Sequence, residues 1–420
     1  MIDKKTTGIA NDYVIRVLDS PAEVPASAWN ALLFSQPQAT PFMRHEYLDA
    51  LDASGCATAQ TGWTPKFFLL ERQGELAAAC VLYLKTHSRG EYVFDWAWAN
   101  AYAQHGLAYY PKALCAVPFT PVPGARLLAR NQADRELLAA VMMKWCQRRQ
   151  LSGLHSLFAS DDDLAAFEAS GLLLRHTVQF HWHNAIPAYA SFDAFLAHLT
   201  PEKRKKIRQE RRKVADAGVS FRVSEGRQIS PADWDFFYRC YERTYLEHGN
   251  APYLNRDFFA RMASTMPEDW LIFVAERDGQ SIAASLIALN TSCANAHNAA
   301  ETQRVAYGRY WGALERVDCL HFEACYYQPL AWCIANGYQR FEGGAQGEHK
   351  LARALLPVTT TSAHWLAQPQ FLAAVDRYLS AERAGIQSYV EDLKQHSPLK
   401  SGLRPESCAV SADPDPARPA

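Results

Sequence analysis

Two segments, one in each half of this chain, repeat the same sixteen-residue pattern, and such a repeat strongly restricts the possible folds. Seven of the sixteen positions are identical between Glu71–Thr86 and Glu276–Thr291. Each segment predicts a β-hairpin, because a hydrophobic stretch ends at Arg72 or Arg277 and is followed by a glycine turn and an alanine-rich strand. A hairpin has to be buried within a sheet, so its repetition predicts two copies of one domain.

The repeat extends beyond the hairpins. The segment Tyr92–Trp98 corresponds to Val305–Trp311, and each is followed by a predicted helix and a short strand. We therefore predict an α/β (α+β) protein with two mixed sheets flanked by helices, although hairpins with Asp-Gly turns are common and a chance match is the alternative. The first copy spans residues 12–186 and the second spans 190–395, followed by a disordered tail at 396–420.

The composition is that of an ordinary globular protein. The chain has 420 residues, 49% of them hydrophobic, which is enough for two cores of common size. Its ten cysteines form no CxxC pair, so we expect free thiols in a reducing compartment, by default the cytoplasm. No apolar stretch approaches the ~20 residues of a membrane span. The net charge of −1 excludes the globally basic surface of a dedicated nucleic-acid-binding protein.

The densest run of reactive side chains lies between Val305 and Lys350. Apolar residues at helical spacing predict a helix over residues 320–336, and residues 338–342 predict a short strand. The glycine-rich loop Gly343–Lys350 then opens at the C-terminal end of that strand, where α/β folds place their ligands. The sequence therefore predicts the functional site in the second half of the chain.

Seven longer motifs are distributed over the chain as far as about residue 395: Pro41–Tyr47, Thr61–Pro65, Gly90–Trp98, Lys203–Arg212, Tyr307–Gly312, His321–Tyr327 and Gly344–Lys350. Together they resemble the FemAB-like family of bacterial proteins, which is labelled GNAT-family N-acetyltransferase or peptidoglycan biosynthesis/recognition. The resemblance implies a tandem duplication of the GNAT (acyl-CoA N-acyltransferase) fold, as in the Fem-type aminoacyl transferases of peptidoglycan bridge synthesis.

The same resemblance implies an N-acyltransferase. Its donor would be an acyl-CoA such as acetyl-CoA, or an aminoacyl-tRNA, and its acceptor a small-molecule amine or a peptidoglycan precursor. The QxxGxG/A pattern of acetyl-CoA loops does not occur cleanly in this chain, so both donors stay open.

Acyl transfer to an amine requires a proton acceptor and a group that stabilises negative charge on the carbonyl. Glu323 is the candidate base, and the alternative is a carboxylate that merely favours the start of a helix. The resemblance implies that Lys350 stabilises the charge on the reacting carbonyl, and the alternative is a surface lysine. His349 and Glu348 complete the catalytic candidates, and an extended loop would place Glu348 and Lys350 on one face.

Several aromatic and polar residues are candidates for substrate binding. If β alternation holds, Tyr307, Arg309 and Trp311 share one strand face, on which the cation lies between aromatic walls and suits an anionic group. A half-buried core strand is the alternative. The remaining candidates lie on the predicted helix, in the glycine-rich loop and in the corresponding segment of the first copy: Tyr326, Tyr327, Gly344, Gln346, Asp95, Trp96 and Trp98.

A strongly basic helix is predicted to start at Thr200-Pro201-Glu202 and to stop at Gly218. The first half of this helix carries Lys203, Arg204 and Arg208. Their cationic groups suit the phosphates of coenzyme A, of a charged tRNA or of a nucleotide-linked acceptor. The alternative is a solvated helix in a basic linker.

Other motifs are incomplete. The glycine-rich loop lacks the Lys-Ser/Thr ending of a P-loop, and His181 and His183 have no third ligand nearby in sequence. We therefore predict no metal and no ATP or dinucleotide cofactor. Two functions remain: an acyltransferase, or a non-catalytic recognition protein of the same fold that binds a nucleotide-linked or peptidoglycan-type ligand. The oligomeric state stays open.

Overall fold

The computed structural model describes residues 12–296, 303–345 and 347–400. Over these ranges the strands form one mixed sheet with helices on both faces. No helix in the described part of the chain is long and apolar enough to cross a membrane. The nine cysteines within these ranges are free thiols.

The strands are β1 Tyr13–Leu18, β2 Trp63–Arg72, β3 Glu75–Lys85, β4 Lys112–Cys115, β5 Leu128–Ala129, β6 Gly153–Ser156, β7 Leu173–His183, β8 Val219–Glu225, β9 Trp270–Arg277, β10 Gln280–Leu289, β11 Val305–Ala313, β12 Arg340–Glu342 and β13 Leu356–Leu366. They pair in the order β1-β2-β3-β4-β6-β13-β7-β12-β11-β10-β9-β8, with β5 beside β3.

The helices are α1 Ala26–Phe34, α2 His45–Ala53, α3 Trp96–Gln104, α4 Gln132–Arg148, α5 Asp161–Ala169, α6 Phe192–Ala197, α7 Pro201–Asp216, α8 Pro231–Glu247, α9 Arg256–Thr265, α10 Thr291–Ala296, α11 Leu320–Phe322, α12 Gln328–Ala335 and α13 Pro369–Gln395. A π turn, Glu323–Tyr327, joins α11 to α12, so residues 320–335 form one continuous element, the site helix.

Each half of the sheet begins with the same antiparallel unit, β1-β2-β3 in the first half and β8-β9-β10 in the second. The two predicted hairpins are confirmed, and their turn residues Gln73 and Asp278 both adopt left-handed φ angles, 53° and 51°. A bulge also interrupts both hairpins at corresponding positions, since Ala77 and Ile282 have no partner in the register. The shared bulge supports the duplication beyond residue identity.

The two halves exchange their last strands. The strand β7, the last strand of the first half, pairs with β12, whereas β13 returns from the second half to pair with β6. The pairing of β7 with β13 then joins the halves into one continuous sheet, so the expectation of two separate sheets was wrong. Each exchanged strand covers an edge that would otherwise expose unpaired backbone groups. The division of the chain near residues 186–190 stays a prediction.

The proposed equivalence of Tyr92–Trp98 and Val305–Trp311 is also wrong. Residues 92–95 form a loop, and α3 begins at Trp96, whereas the strand that occupies the position of β11 in the first half is β4. Alternate alanines within α3 favour a helix over a strand. The aromatic residues of Tyr92–Trp98 therefore belong to a loop and to the start of a helix, not to a strand.

The beginning of the predicted tail is packed against the fold. Leu399 is buried and forms an isolated β-bridge with Leu199, next to the start of α7. Residues 401–420 lie outside the described residues.

Candidate functional site

The parallel strands β11 and β12 separate after three residue pairs. They pair from Val305 with Arg340 to Tyr307 with Glu342, and β11 then continues to Ala313 beside β10 alone. In the first half β4 ends while it is still paired with β6, so the opening between these strands is found in the second half.

A cavity of about 130 Å³ occupies this opening, and we name it the splay cavity. Two glycines, Gly308 and Gly343, lie where the strands part. A Cβ atom on Gly343 would lie 2.6 Å from Cδ2 of Leu355, so a larger residue would displace the loop. The lining residues are Ser285, Ile287, Gly308, Arg309, Tyr310, Trp311, His321, Cys325, Tyr326 and Gly343.

The site helix forms one wall of the splay cavity, as the sequence predicts for residues 320–336. The side chains of His321, Cys325 and Tyr326 face the cavity, and the last two belong to the π turn, which is one residue wider than an α-helical turn. The hydroxyl of Ser285 on β10 donates a hydrogen bond to the Ala324 carbonyl at 2.6 Å, which anchors the π turn to the sheet.

The Lys350 side chain lies next to Gly343 at the start of the glycine-rich loop, and Gly343 lines the splay cavity. The residue is only 3% exposed, and its Nζ donates a hydrogen bond to the Gly344 carbonyl at 2.9 Å. No carboxylate in the described ranges pairs with this amine, and burial lowers the pKa of Lys350 to about 8. The alternative of a surface lysine is therefore wrong. A buried amine without a counter-charge is a costly arrangement of the kind that marks functional sites.

The neighbours of Lys350 are arranged differently from the expectation. Residues 348–353 form a 3₁₀ helix, not an extended segment, so Glu348 and Lys350 do not share a face. Glu348 is exposed and accepts a hydrogen bond from the Tyr389 hydroxyl of α13. His349 turns toward the cavity wall, and its Nε2 lies 3.1 Å from the Tyr326 hydroxyl.

Two imidazoles next to the cavity are held in the neutral form. Burial lowers the pKa of His321 to about 4, and it also lowers the pKa of His349, to which the charges of Arg353 and Lys350 add. The His321 ring packs against Trp311 with 5.6 Å between centroids. Neutral imidazoles can both donate and accept hydrogen bonds at physiological pH.

Glu323 and Tyr327 lie on one side of the site helix, as predicted, but that side faces α7. The buried Glu323 carboxylate accepts hydrogen bonds from Arg211 Nε at 3.1 Å and from Gln328 Nε2 at 2.7 Å. Burial raises the pKa of Glu323, although Arg211 opposes the shift. Tyr327 donates to Glu210, so both residues attach the basic helix to the site helix. A base role for Glu323 stays a prediction.

The predicted face of Tyr307, Arg309 and Trp311 does not form. A register shift opposite Leu286 and Ile287 places a bulge in β11 at Arg309, which breaks the alternation. Arg309 then points toward the first half, where its Nη2 donates to the Phe119 carbonyl at 2.9 Å. Tyr307 lies on that side too, whereas Trp311 lies on the face of the site helix.

The basic helix α7 is confirmed with its predicted ends, and Gly218 adopts a φ of 75° just beyond it. Its buried side consists of Ile207, Glu210 and Val214. Of the predicted phosphate contacts, Arg208 is the most exposed, with a long 3.7 Å contact to Asp193, and Lys203 and Arg204 are partly exposed. Their cationic groups remain accessible to a ligand.

A family model described as peptidoglycan biosynthesis/recognition, FemAB-like, matches residues 20–401. The chain belongs to the FemAB-like family. No curated protein matches its sequence.

Three solved structures are similar to this FemAB-like chain. FemX superposes with a TM-score of 0.50 at 11% identity, over 84% of this chain and 98% of FemX. For L-PGS from Bacillus licheniformis the TM-score is 0.50 at 10% identity, over 87% and 98%. For the C-terminal domain of a protein assigned as lysylphosphatidylglycerol synthetase in Agrobacterium fabrum it is 0.51 at 12% identity, over 86% and 97%. At these identities the likeness concerns the fold, which is the tandem GNAT fold predicted from the sequence.

The candidates from the first half of the FemAB-like chain lie outside the splay cavity. Asp95 is buried, where it pairs with Lys112 and accepts a hydrogen bond from the Tyr109 hydroxyl at 2.7 Å. Trp98 packs in the interior, whereas Trp96 is 46% exposed. Gln346 lies outside the described residues.

Two buried residues near the cavity were not singled out by sequence reasoning as parts of a site. Glu342 ends β12, and His181 lies opposite it on β7. Glu342 could have been recognised as a site residue, because it is a carboxylate at the end of a buried strand and two glycines follow it directly. For His181 the sequence favours a structural role, because the pair His181 and His183 has no third ligand nearby in sequence. The described residues contain no cluster of three or more His, Cys, Asp or Glu that could hold a metal ion.

Proposed function

We propose that the protein transfers an acyl or aminoacyl group from an activated ester or thioester to an amine, and that this reaction takes place at the splay cavity. The observation that carries the proposal is the buried amine of Lys350, which has no paired carboxylate and lies behind the loop that lines the cavity. A cation in such a position is best used when negative charge develops on a reacting carbonyl. Membership of the FemAB-like family supports a transferase.

The residues around the cavity suit the steps of this reaction. Beyond Tyr307, β11 has no strand partner on the side of β12, so its backbone groups can pair with an extended donor. Lys350 would stabilise the oxyanion of the tetrahedral intermediate. The Tyr326 hydroxyl in the cavity wall, which contacts His349, would protonate the leaving group.

The donor and the acceptor belong to the proposal. An acyl-CoA, such as acetyl-CoA, and an aminoacyl-tRNA both carry phosphates that Lys203, Arg204 and Arg208 can contact. The likeness to FemX and to a lysylphosphatidylglycerol synthetase favours the aminoacyl donor, and the family description favours a peptidoglycan precursor as the amine acceptor.

The test is a panel of donors and acceptors. Thermal stability of the purified protein would be measured with CoA thioesters, charged tRNA and UDP-linked muropeptides, and donors that stabilise it would be incubated with amines and analysed by mass spectrometry for the amide product. We expect at least one donor and acceptor pair to give an amide. Stabilisation without any amide product would contradict the transferase.

That outcome would favour the second candidate, a recognition protein that binds a nucleotide-linked or peptidoglycan-type ligand without chemistry. One observation supports this alternative: two of the predicted catalytic carboxylates are engaged elsewhere, Glu323 with Arg211 and Glu348 with Tyr389.

A further inference from the structure

Glu342 occupies the point at which β11 and β12 separate. It forms the last residue pair of the two strands, opposite Tyr307, and the glycines of the loop follow it directly. Its neighbour Phe341 belongs to the hydrophobic core between the sheet and the site helix. Because side chains alternate along a strand, Glu342 points to the other face of the sheet, where Tyr307 also lies. On the same face, Arg309 donates a hydrogen bond to the carbonyl of Phe119 in the first half of the chain.

The carboxyl group of Glu342 is buried without full hydrogen bonding. The residue is 3% exposed, and its Oε1 forms an ion pair with Arg340 Nε at 3.1 Å. Neither Oε2 nor Arg340 Nε has a hydrogen-bond partner in the described structure. His181 Nε2 lies 3.9 Å from Oε2. Nε of Arg309 is likewise buried without an acceptor.

Orphaned polar atoms of this kind require an explanation, because a buried polar group without a hydrogen-bond partner destabilises the folded state. The orphaned atom of Glu342 is an acceptor on an acidic group, so it is complementary to an N–H donor. A ligand that carries a primary ammonium group supplies that donor together with a compensating charge.

We infer that Glu342 binds the ammonium group of the acceptor and takes up its proton, with His181 and Arg340 as positioning residues. The inference rests on the proposed transfer reaction and names the acceptor's reactive group, a primary amine that approaches from the side of the first half. It assigns the base to Glu342 at the junction of β11 and β12, next to Gly343 of the splay cavity, and not to Glu323, which binds α7.

The ammonium transfers one proton to the Glu342 carboxylate, and the free amine attacks the carbonyl carbon of the donor. The new C–N bond forms as the bond from the carbonyl carbon to the leaving oxygen or sulfur breaks, and the second nitrogen proton goes to that leaving group. After release of the amide, the Glu342 carboxyl returns its proton to solvent.

The electrostatic surroundings suit a base near neutral pH. Burial raises the pKa of Glu342 to about 7, and the charges of Arg340 and Arg309 oppose this shift. On the facing strands, Tyr307 on β11 has a pKa raised by its own burial, and His181 on β7 has a pKa lowered well below its usual value by burial. Both are therefore neutral at pH 7, and Glu342 is the group among these that titrates there.

The first test measures transfer with the donor and amine identified by the panel. We expect Glu342→Gln to lower kcat by ~100-fold or more with the KM for the donor within a few-fold, because general bases contribute at least that much. In the wild type, kcat should fall as the pH drops below 7, and this limb should vanish in Glu342→Gln. The control is Glu75→Gln on the exposed hairpin, which should match the wild type. Unchanged kcat in Glu342→Gln would overturn the inference.

The second test needs no donor. At pH 8, n-butylammonium chloride should raise the melting temperature of the wild type above the effect of tetramethylammonium chloride, which has no N–H group, and this difference should disappear in Glu342→Gln. Equal effects on both variants would refute amine binding by Glu342. If no donor of the panel gives an amide while the butylammonium difference persists, the proposed transfer fails and the amine site stands.

Discussion

Replacing Lys350 by methionine tests whether its buried positive charge destabilises the fold and whether the same charge serves catalysis. Methionine keeps the approximate length of the side chain and fits the same buried space, but it cannot carry a positive charge. If Lys350 acts on the oxyanion, Lys350→Met should lower kcat by ~100-fold or more, comparable to the loss of one oxyanion-hole donor. Donor affinity should stay within a few-fold, since the interaction is made mainly in the transition state.

The same change should not destabilise the fold. The ordinary pKa of 10.5 and the value of about 8 in the protein differ by an amount equivalent to on the order of 3 kcal/mol of unfavourable charge burial. The substitution also removes the hydrogen bond to the Gly344 carbonyl, which is worth about 1 kcal/mol. At pH 7 we therefore expect Lys350→Met to be more stable than the wild type by roughly 1–2 kcal/mol.

The difference in stability between Lys350→Met and the wild type depends on pH. Between pH 8 and 10.5 the unfolded chain binds more protons at Lys350 than the folded protein, so the stability of the wild type rises with pH over this range. The advantage of Lys350→Met should therefore shrink as the pH rises above 8.

The assay combines steady-state kinetics with urea unfolding at pH 7 and pH 9. The control is Lys144→Met, which changes an exposed lysine on α4 and should alter neither quantity. Retained turnover, or loss of donor affinity with kcat unchanged, would refute the catalytic role of Lys350. A destabilisation of several kcal/mol would refute the description of its amine as buried without a counter-charge.

Three further changes test other parts of the fold. Replacing both Arg204 and Arg208 by alanine should weaken binding of a phosphate-bearing donor by a factor that shrinks as salt rises, and equal affinity at low salt in a titration would return the helix to a solvated role. Glu210→Gln should cost about 3–5 kcal/mol in urea unfolding, because it leaves the buried Arg353 without its carboxylate; near-wild-type stability would contradict this ion pair. Gly343→Ala should cost roughly 1–3 kcal/mol by calorimetry, because the added methyl group would lie 2.6 Å from the nearest side-chain carbon, and an unchanged melting temperature would show that the loop relaxes freely.

Features that depend on a few neighbouring residues could be predicted from the sequence. The hairpin turns follow from Gln73-Gly74 and Asp278-Gly279, because these pairs tolerate left-handed backbone angles. The basic helix follows from its proline start and glycine stop, and the site helix follows from its apolar spacing. These signals are local, so tertiary structure had little opportunity to override them.

Features that depend on strand partners were decided by the tertiary structure. The exchange of β7 and β13 fuses the two sheets, because each strand finds its free edge in the other half of the chain. The bulge at Arg309 is set by the register with β10, and it reverses the face on which Trp311 lies. Glu342 and His181 meet only because their strands are neighbours in the completed sheet. The repeated hairpins and the capped helices follow from local residue patterns, whereas pairing between distant strands sets which side chains surround the splay cavity, since edge availability and register are properties of the whole sheet.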